Sequence, residues 1–208
     1  MADTGRAGRV RLERRLTVAQ HGADLLDRKQ RILADELERR EIIASHTGAL
    51  WQDLAAEAMT WLRRAAALDG RAQITAAAPG TAARVEITWA RAMGVAFPLE
   101  ARAVPAPPGP AGGSSALSFA AAAHAAALQA AVEHAAAARA VLLVSEELTA
   151  TRSRQQAVER RWIPRLEDRL LQVRRALDAL ELEESLRLRW AAGAAGAGAR
   201  PSARSEER

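Results

Sequence analysis

The chain has no cysteine and no tyrosine, and only two Phe and five Trp among its 208 residues. Without cysteine there is no disulfide framework and no thiolate metal site, and nothing reports a redox compartment. With so few aromatics, Ala and Leu have to fill whatever interior exists. Lysine is nearly absent as well, since Lys29 is the only one among 30 basic residues. Charge of one sign is not in large excess: 30 basic residues against 25 acidic ones leave +5. Long uninterrupted apolar runs are also missing. The least polar stretch, Phe119 to Val144, is broken by His124, Gln129, Glu133, His134 and Arg139, whereas a bilayer span takes about 20 mostly apolar residues. The region Met1 to Leu16 carries Arg6, Arg9, Arg11, Arg14 and Arg15 with no apolar run behind them, unlike a secretory leader. The expectation is a soluble chain without a transmembrane segment, with the cytoplasm as its default location.

Catalytic signatures are missing too. There is no G-x-x-x-x-G-K-[ST] phosphate loop, and Lys29 sits inside a helical pattern at Asp27-Arg28-Lys29-Gln30. The four histidines, His21, His46, His124 and His134, show no H-E-x-x-H spacing. His124, Glu133 and His134 fit a polar helix edge better than a ligand set. No Ser or Thr has a His and an acid arranged to activate it, and Glu146-Glu147 and Glu183-Glu184 read as solvated faces. No catalytic, cofactor-binding or metal-binding residue is assigned.

What is present is periodicity. From Leu12, steps of four and three meet Leu16, Ala19, Ala23, Leu26, Gln30, Leu33, Leu37, Arg40, Ala44, Thr47, Trp51, Leu54, Ala58, Trp61, Ala65 and Leu68. Only Gln30, Arg40 and Thr47 among them are polar. A period of 3.5 held this long without a phase break defines a coiled-coil seam. At ~1.5 Å per residue such a helix reaches roughly 85 Å, far beyond the ~26 Å of a 100-residue globule. A second seam runs Val141, Val144, Leu148, Thr151, Gln155, Val158 and Trp162. It resumes one residue out of phase as Ile163, Leu166, Leu170, Val173, Leu177 and Leu180. The slip coincides with Pro164, which removes a helical hydrogen bond and clashes with the preceding turn. A kink or a local change of supercoil is expected there; the alternative ends one helix at Arg161 and starts another at Pro164.

Between the helices the pattern changes. Asp69-Gly70 and Ala78-Pro79-Gly80 are stop signals. Val85, Ile87 and Trp89 alternate with Glu86 and Thr88, as in a half-buried strand. Met93-Gly94-Val95 and a second strand to Val104 complete a β-hairpin, and the Pro- and Gly-rich stretch from Pro105 to Ser115 is a loop. The expected fold is therefore mainly α: a long antiparallel two-helix coiled coil with a small β-hairpin lobe between its helices. The divisions are an N-terminal coiled-coil helix (8–68), a middle lobe (69–115), a C-terminal coiled-coil helix (116–190) and a disordered Ala/Gly/Arg tail (191–208). Burying one Leu contributes roughly 1.5–3 kcal/mol against ~1–2 kcal/mol of backbone entropy per ordered residue. An isolated seam therefore gains little, and folding the chain back on itself is favoured over an intermolecular dimer.

An antiparallel hairpin brings Arg9, Arg11, Arg14 and Arg15 near Arg152, Arg154, Arg160, Arg161 and Arg165 at one end. Such a basic end suits carboxylates and carbonyls of a protein partner, or the phosphate backbone of a nucleic acid bound by a basic coiled-coil adaptor. Acids at Glu13, Asp24, Asp27, Glu159 and Glu167 are interleaved with the arginines, which argues against direct nucleic-acid binding. Gly22 lies inside the first helix at a cost of ~1 kcal/mol relative to Ala, reflecting either tolerated drift or close approach of another helix.

Three motifs carry a family resemblance. Ala19-x-x-Gly22-x-x-Leu25-Leu26-x-x-Lys29-x-x-x-Leu33 resembles the N-terminal helix of the D subunit of the V/A-type (vacuolar/archaeal-type) rotary ATPases, here in a bacterial form. Met93-Gly94-Val95 with Pro98 resembles that family's middle lobe. Thr151-Arg152-Ser153-Arg154-Gln155-Gln156-Ala157-Val158-Glu159, followed by Trp162-Ile163-Pro164-Arg165-Leu166, resembles its Thr-Arg-Arg-Arg-Val-Asn-Ala-Leu-Glu and Ile-Ile-Pro-Arg-Leu. Ser153, Gln155 and Gln156 depart from that pattern. The resemblance spans roughly residues 6 to 190. It implies a non-catalytic central axle whose paired ends enter a hexamer of catalytic A and non-catalytic B subunits. The small F subunit of the central stalk packs on its side, and a membrane-side rotor subunit above the ion ring receives the lobe. It also implies that Arg9, Arg11, Arg14, Arg15, Thr151, Arg152, Arg154, Gln156 and Arg160 face the hexamer, with Gly22, Gly94 and Pro164 structural. Its place is then peripheral, on the cytoplasmic face of the membrane.

Overall fold

A computed structural model describes residues 5–107 and 112–198. Helix α1 (Gly5–Ala77) is followed by strands β1 (Arg84–Ala92) and β2 (Val95–Val104), helix α2 (Ser115–Ala157), a single π-helical turn (Val158–Trp162) and helix α3 (Ile163–Gly198). The fold is thus mainly helical, with a two-stranded antiparallel hairpin between long helices. By contacts the chain divides into two units. One is Leu26–Ser153; the other gathers the described residues up to Leu25 with those from Arg154 onward.

Within Leu26–Ser153, Leu33 packs with Ala140, Val144 and Leu148, while Ala65 packs with Ala116, Leu117 and Ala120. Partner numbers on α2 fall as those on α1 rise, so the pairing is antiparallel. Eight of the ten buried α2 positions, Ala116, Ala120, Ala127, Ala130, Ala137, Val144, Leu148 and Thr151, keep one four-and-three phase, with Leu117 and Ala140 beside it. The second seam therefore begins at Ala116, not at Val141. Alanine on every face of α2 hides this period from any hydrophobicity pattern. The same alanines make one stretch within Ser115–Ala192 apolar enough, by length and composition, to cross a bilayer, with a mean hydropathy of 1.4 over 18 residues. The alanines of the seam nevertheless find packing partners inside the protein.

In the other unit, Leu12 packs with Leu166 and Leu170, edged by Leu16, Ala19 and Val173. Arg6 reaches Glu181 at 3.2 Å, and Arg174 reaches Glu13 at 3.0 Å. The order is again antiparallel. Ile163 is half-buried and Leu166 and Leu170 are buried, whereas Trp162 is exposed, so the one-residue slip is real. It is absorbed by the π-turn, in which the Ile163 N–H donates to the Val158 carbonyl five residues back. A π-turn holds one residue more than an α-turn, and it relieves the clash that Pro164 would make with the preceding turn. The helix neither ends at Arg161 nor restarts at Pro164.

Several boundaries shift. α1 starts at Gly5, and its helical geometry breaks at Gly70 (φ 75°, ψ 167°), a conformation only glycine adopts cheaply. Seven further residues then return to helix, and Ile74 and Ala77 join the Ala65 cluster. α3 continues past Trp190 to Gly198. Residues 199–208 of the expected tail lie outside the described residues.

The hairpin turns at Met93 and Gly94, both with positive φ (49° and 87°), as a two-residue primed turn demands. A bulge leaves Leu99 unpaired between the pairs Thr88↔Glu100 and Trp89↔Pro98; proline, lacking an N–H, is tolerated there. The alternation expected to bury Val85, Ile87 and Trp89 does not do so: all three are about half exposed. Burial instead follows β2, whose Phe97, Ala101 and Ala103 are interior. Its outer edge meets α2, where Gln129 Oε1 accepts the Ala103 N–H at 2.8 Å and Gln129 Nε2 donates to the Ala101 carbonyl at 3.4 Å. One side chain thus mimics the next strand. The hairpin packs edge-on, so both sheet faces keep solvent contact.

Candidate partner-binding surfaces

In the unit Leu26–Ser153 several polar residues on or beside the seam have specific partners. Arg40 pairs with Glu36 at 2.7 Å and lies over the Phe97 ring at 4.7 Å, tying the hairpin to α1. Lys29 Nζ meets Glu147 Oε1 at 2.6 Å, both side chains about one-quarter exposed. His134, expected on a polar edge, occupies the seam instead. Its Nδ1 lies 3.2 Å from the Ala44 carbonyl, and its ring stacks on Trp51. Gly48 makes room for it, since a Cβ there would sit 3.0 Å from His134 Cε1. The loop end is closed by Asp69, whose carboxylate accepts from the Ser114 N–H and Oγ at 2.8 and 2.6 Å. Gly48, Gln129 and His134 are structural residues that sequence reasoning missed, because their roles depend on facing elements far along the chain.

Of the residues expected to meet a hexamer, Thr151 and Arg152 belong to this unit. Thr151 is fully buried and contacts Glu147 at 3.4 Å. It is an interior residue of this unit and offers no surface to a partner. Arg152 is exposed.

In the other unit, Arg9, Arg11, Arg14, Arg15, Arg154, Gln156 and Arg160 are all exposed. The two basic sets do meet in part, because Arg15 lines one groove together with Arg161, Arg165 and Arg169. Arg9 pairs with Glu13 at 3.2 Å. The hydrogen bond from Arg174, aided by the charges of Arg9 and Arg174, holds the Glu13 carboxyl below the usual carboxylate range. Among the described residues nothing lies within 4 Å of a Cβ placed on Gly22, so none of them approaches it closely. Gly94 sits in the hairpin turn with φ 87°, and Pro164 lies in the first turn of α3, just after the π-turn.

Antiparallel helix pairing with exposed arginines and an interposed hairpin offers surfaces for protein partners. The chain belongs to the ATP synthase D-subunit family, whose model matches residues 9–193. It is therefore a stalk subunit of a rotary ATPase, a structural component and not the catalytic one. No individual curated protein matches it.

Proposed function

We propose that this chain is the central-stalk rotor shaft of a bacterial V/A-type ATPase. In that role it transmits torque between the catalytic hexamer of A and B subunits and the membrane ring that moves ions. The observation that carries the reading is the treatment of the phase slip at Trp162–Ile163. A hinge or a helix break at Pro164 would let one end turn without the other. The π-turn keeps the hydrogen-bonded helix continuous while shifting its phase, and torque can pass along it. The A and B subunits grip the exposed arginines Arg9, Arg11, Arg14, Arg15, Arg152, Arg154 and Arg160 together with Gln156. The F subunit and the membrane-side rotor subunit complete the stalk, and the complex holds the chain at the cytoplasmic face of the membrane.

Mixing the purified chain with A, B and F subunits is expected to give one co-eluting complex with ATPase activity. Arg154→Glu/Arg160→Glu is expected to weaken assembly while leaving the helical circular dichroism unchanged. A well-folded chain that fails to join the complex contradicts the reading.

A further inference from the structure

Arg161, Arg165 and Arg169 follow one another at four-residue steps and line a single groove of about 790 Å³ with Trp162, Asp168 and Arg15. Like charges at this spacing repel one another on a helix. Among the described residues, Arg161, Arg165 and Arg169 have no ion pair or hydrogen bond, and Asp168 is the groove's lone carboxylate. The indole beside them is 55% exposed, although the seam phase up to Val158 would have turned Trp162 inward. The π-turn, by giving its seam place to Ile163, sets a flat aromatic face next to a row of forked cations. Phosphate is the anion that guanidinium forks bind bidentately at high charge density, and a nucleobase is a planar ring that stacks on indole. A helix rich in carboxylates would use the arginine row but leave the indole face unused.

We propose that this groove binds a nucleotide, with its phosphate chain on Arg161, Arg165 and Arg169 and its base stacked on Trp162. None of these four residues belongs to the hexamer contacts proposed above; Arg15, which does, also lines the groove but is assigned neither the phosphate chain nor the base.

The test is calorimetric titration of the full chain at ~0.1 M salt, near a 10 Å Debye length, with ATP and, separately, inorganic triphosphate, in chelator. ATP is expected to bind more tightly than triphosphate, by roughly tenfold if stacking contributes its usual share. Arg161→Gln/Arg165→Gln should weaken both ligands at least ~10-fold. Trp162→Leu should weaken ATP alone, bringing it level with triphosphate. These side chains are exposed, so the variants keep the fold, as circular dichroism will check. Neutralising Arg28 and Arg91, which lie elsewhere, should change nothing. The proposal is overturned if ATP gives no heat beyond that of sulfate at matched ionic strength, if the Arg28/Arg91 variant loses as much affinity as the groove variant, or if Trp162→Leu binds ATP unchanged. Displacement of ATP by a short poly-glutamate peptide at equal charge concentration would also overturn it, showing the occupant to be an acidic polypeptide. Failure of the chain to assemble with A and B subunits would leave these titrations unaffected, so the two readings fail separately.

Discussion

The two units pair their helices with different mixtures of side chains. The one containing the chain's described ends packs leucine on leucine, Leu12 against Leu166 and Leu170, and adds exposed ion pairs such as Arg6–Glu181. The other adds to its Leu33, Val144 and Leu148 contacts a stretch where alanine packs on alanine around Ala65, Ala116 and Ala120, and it holds two of its ion pairs, Lys29–Glu147 and Arg40–Glu36, partly out of water. Large side chains stabilise by area and tolerate local shifts. Small ones bury little area and require close backbones, so they stabilise through fit. The leucine contacts should suffer most when their side chains shrink, and the alanine contacts when they grow.

The largest expected effect follows from this difference. Leu166→Ala should cost ~2–5 kcal/mol in denaturant unfolding followed by circular dichroism, whereas Ala140→Gly should cost only about 1 kcal/mol. Equal losses would erase the distinction. Next in size, Ala130→Leu should overpack the alanine seam and cost ~1–3 kcal/mol, measured the same way. Glycines sharpen the contrast further. Gly22→Ala, with nothing nearby, should stabilise by about 1 kcal/mol. Gly48→Ala should gain nothing or lose stability against His134, and the gain should return in the double variant with His134→Ala. The smallest effect is electrostatic. Because folding lowers the Glu13 pKa, its pairing stabilises above the unfolded value of ~4.3 and is lost as pH falls through the lower folded value. Glu13→Gln should therefore flatten a shallow acid limb in stability measured between about pH 5 and pH 2, and leave the variant's stability the same as wild type below it.

The long seam from Leu12 was legible because leucine alternates with charge there, and period 3.5 shows only against contrast. The same period from Ala116 was invisible, since alanine occupies both the seam and the flanks. The slip at Trp162–Ile163 was legible as arithmetic. Its form was not, because a kink, a break and a π-turn all displace the phase by one residue. The strand Val85–Trp89 misled for another reason. Alternation reports which side chains share a face, but the hairpin is anchored by its edge through Gln129, and edge anchoring leaves no mark in side-chain period. The meeting of the two basic sets was legible in part, since Arg15 joins Arg161 and Arg165 in one groove as expected, whereas Arg169 was not foreseen there and Thr151, in the Thr-Arg-Ser-Arg motif, is interior.

The carboxamide of Gln129 has one more consequence. Sheets lengthen sideways only where a row of backbone donors and acceptors stands open. At Ala101 and Ala103 that row is already occupied by a side chain from the protein's own helix. Lateral growth into a fibril needs two open margins on each unit, so closing this one limits the hairpin to partnership on its β1 side.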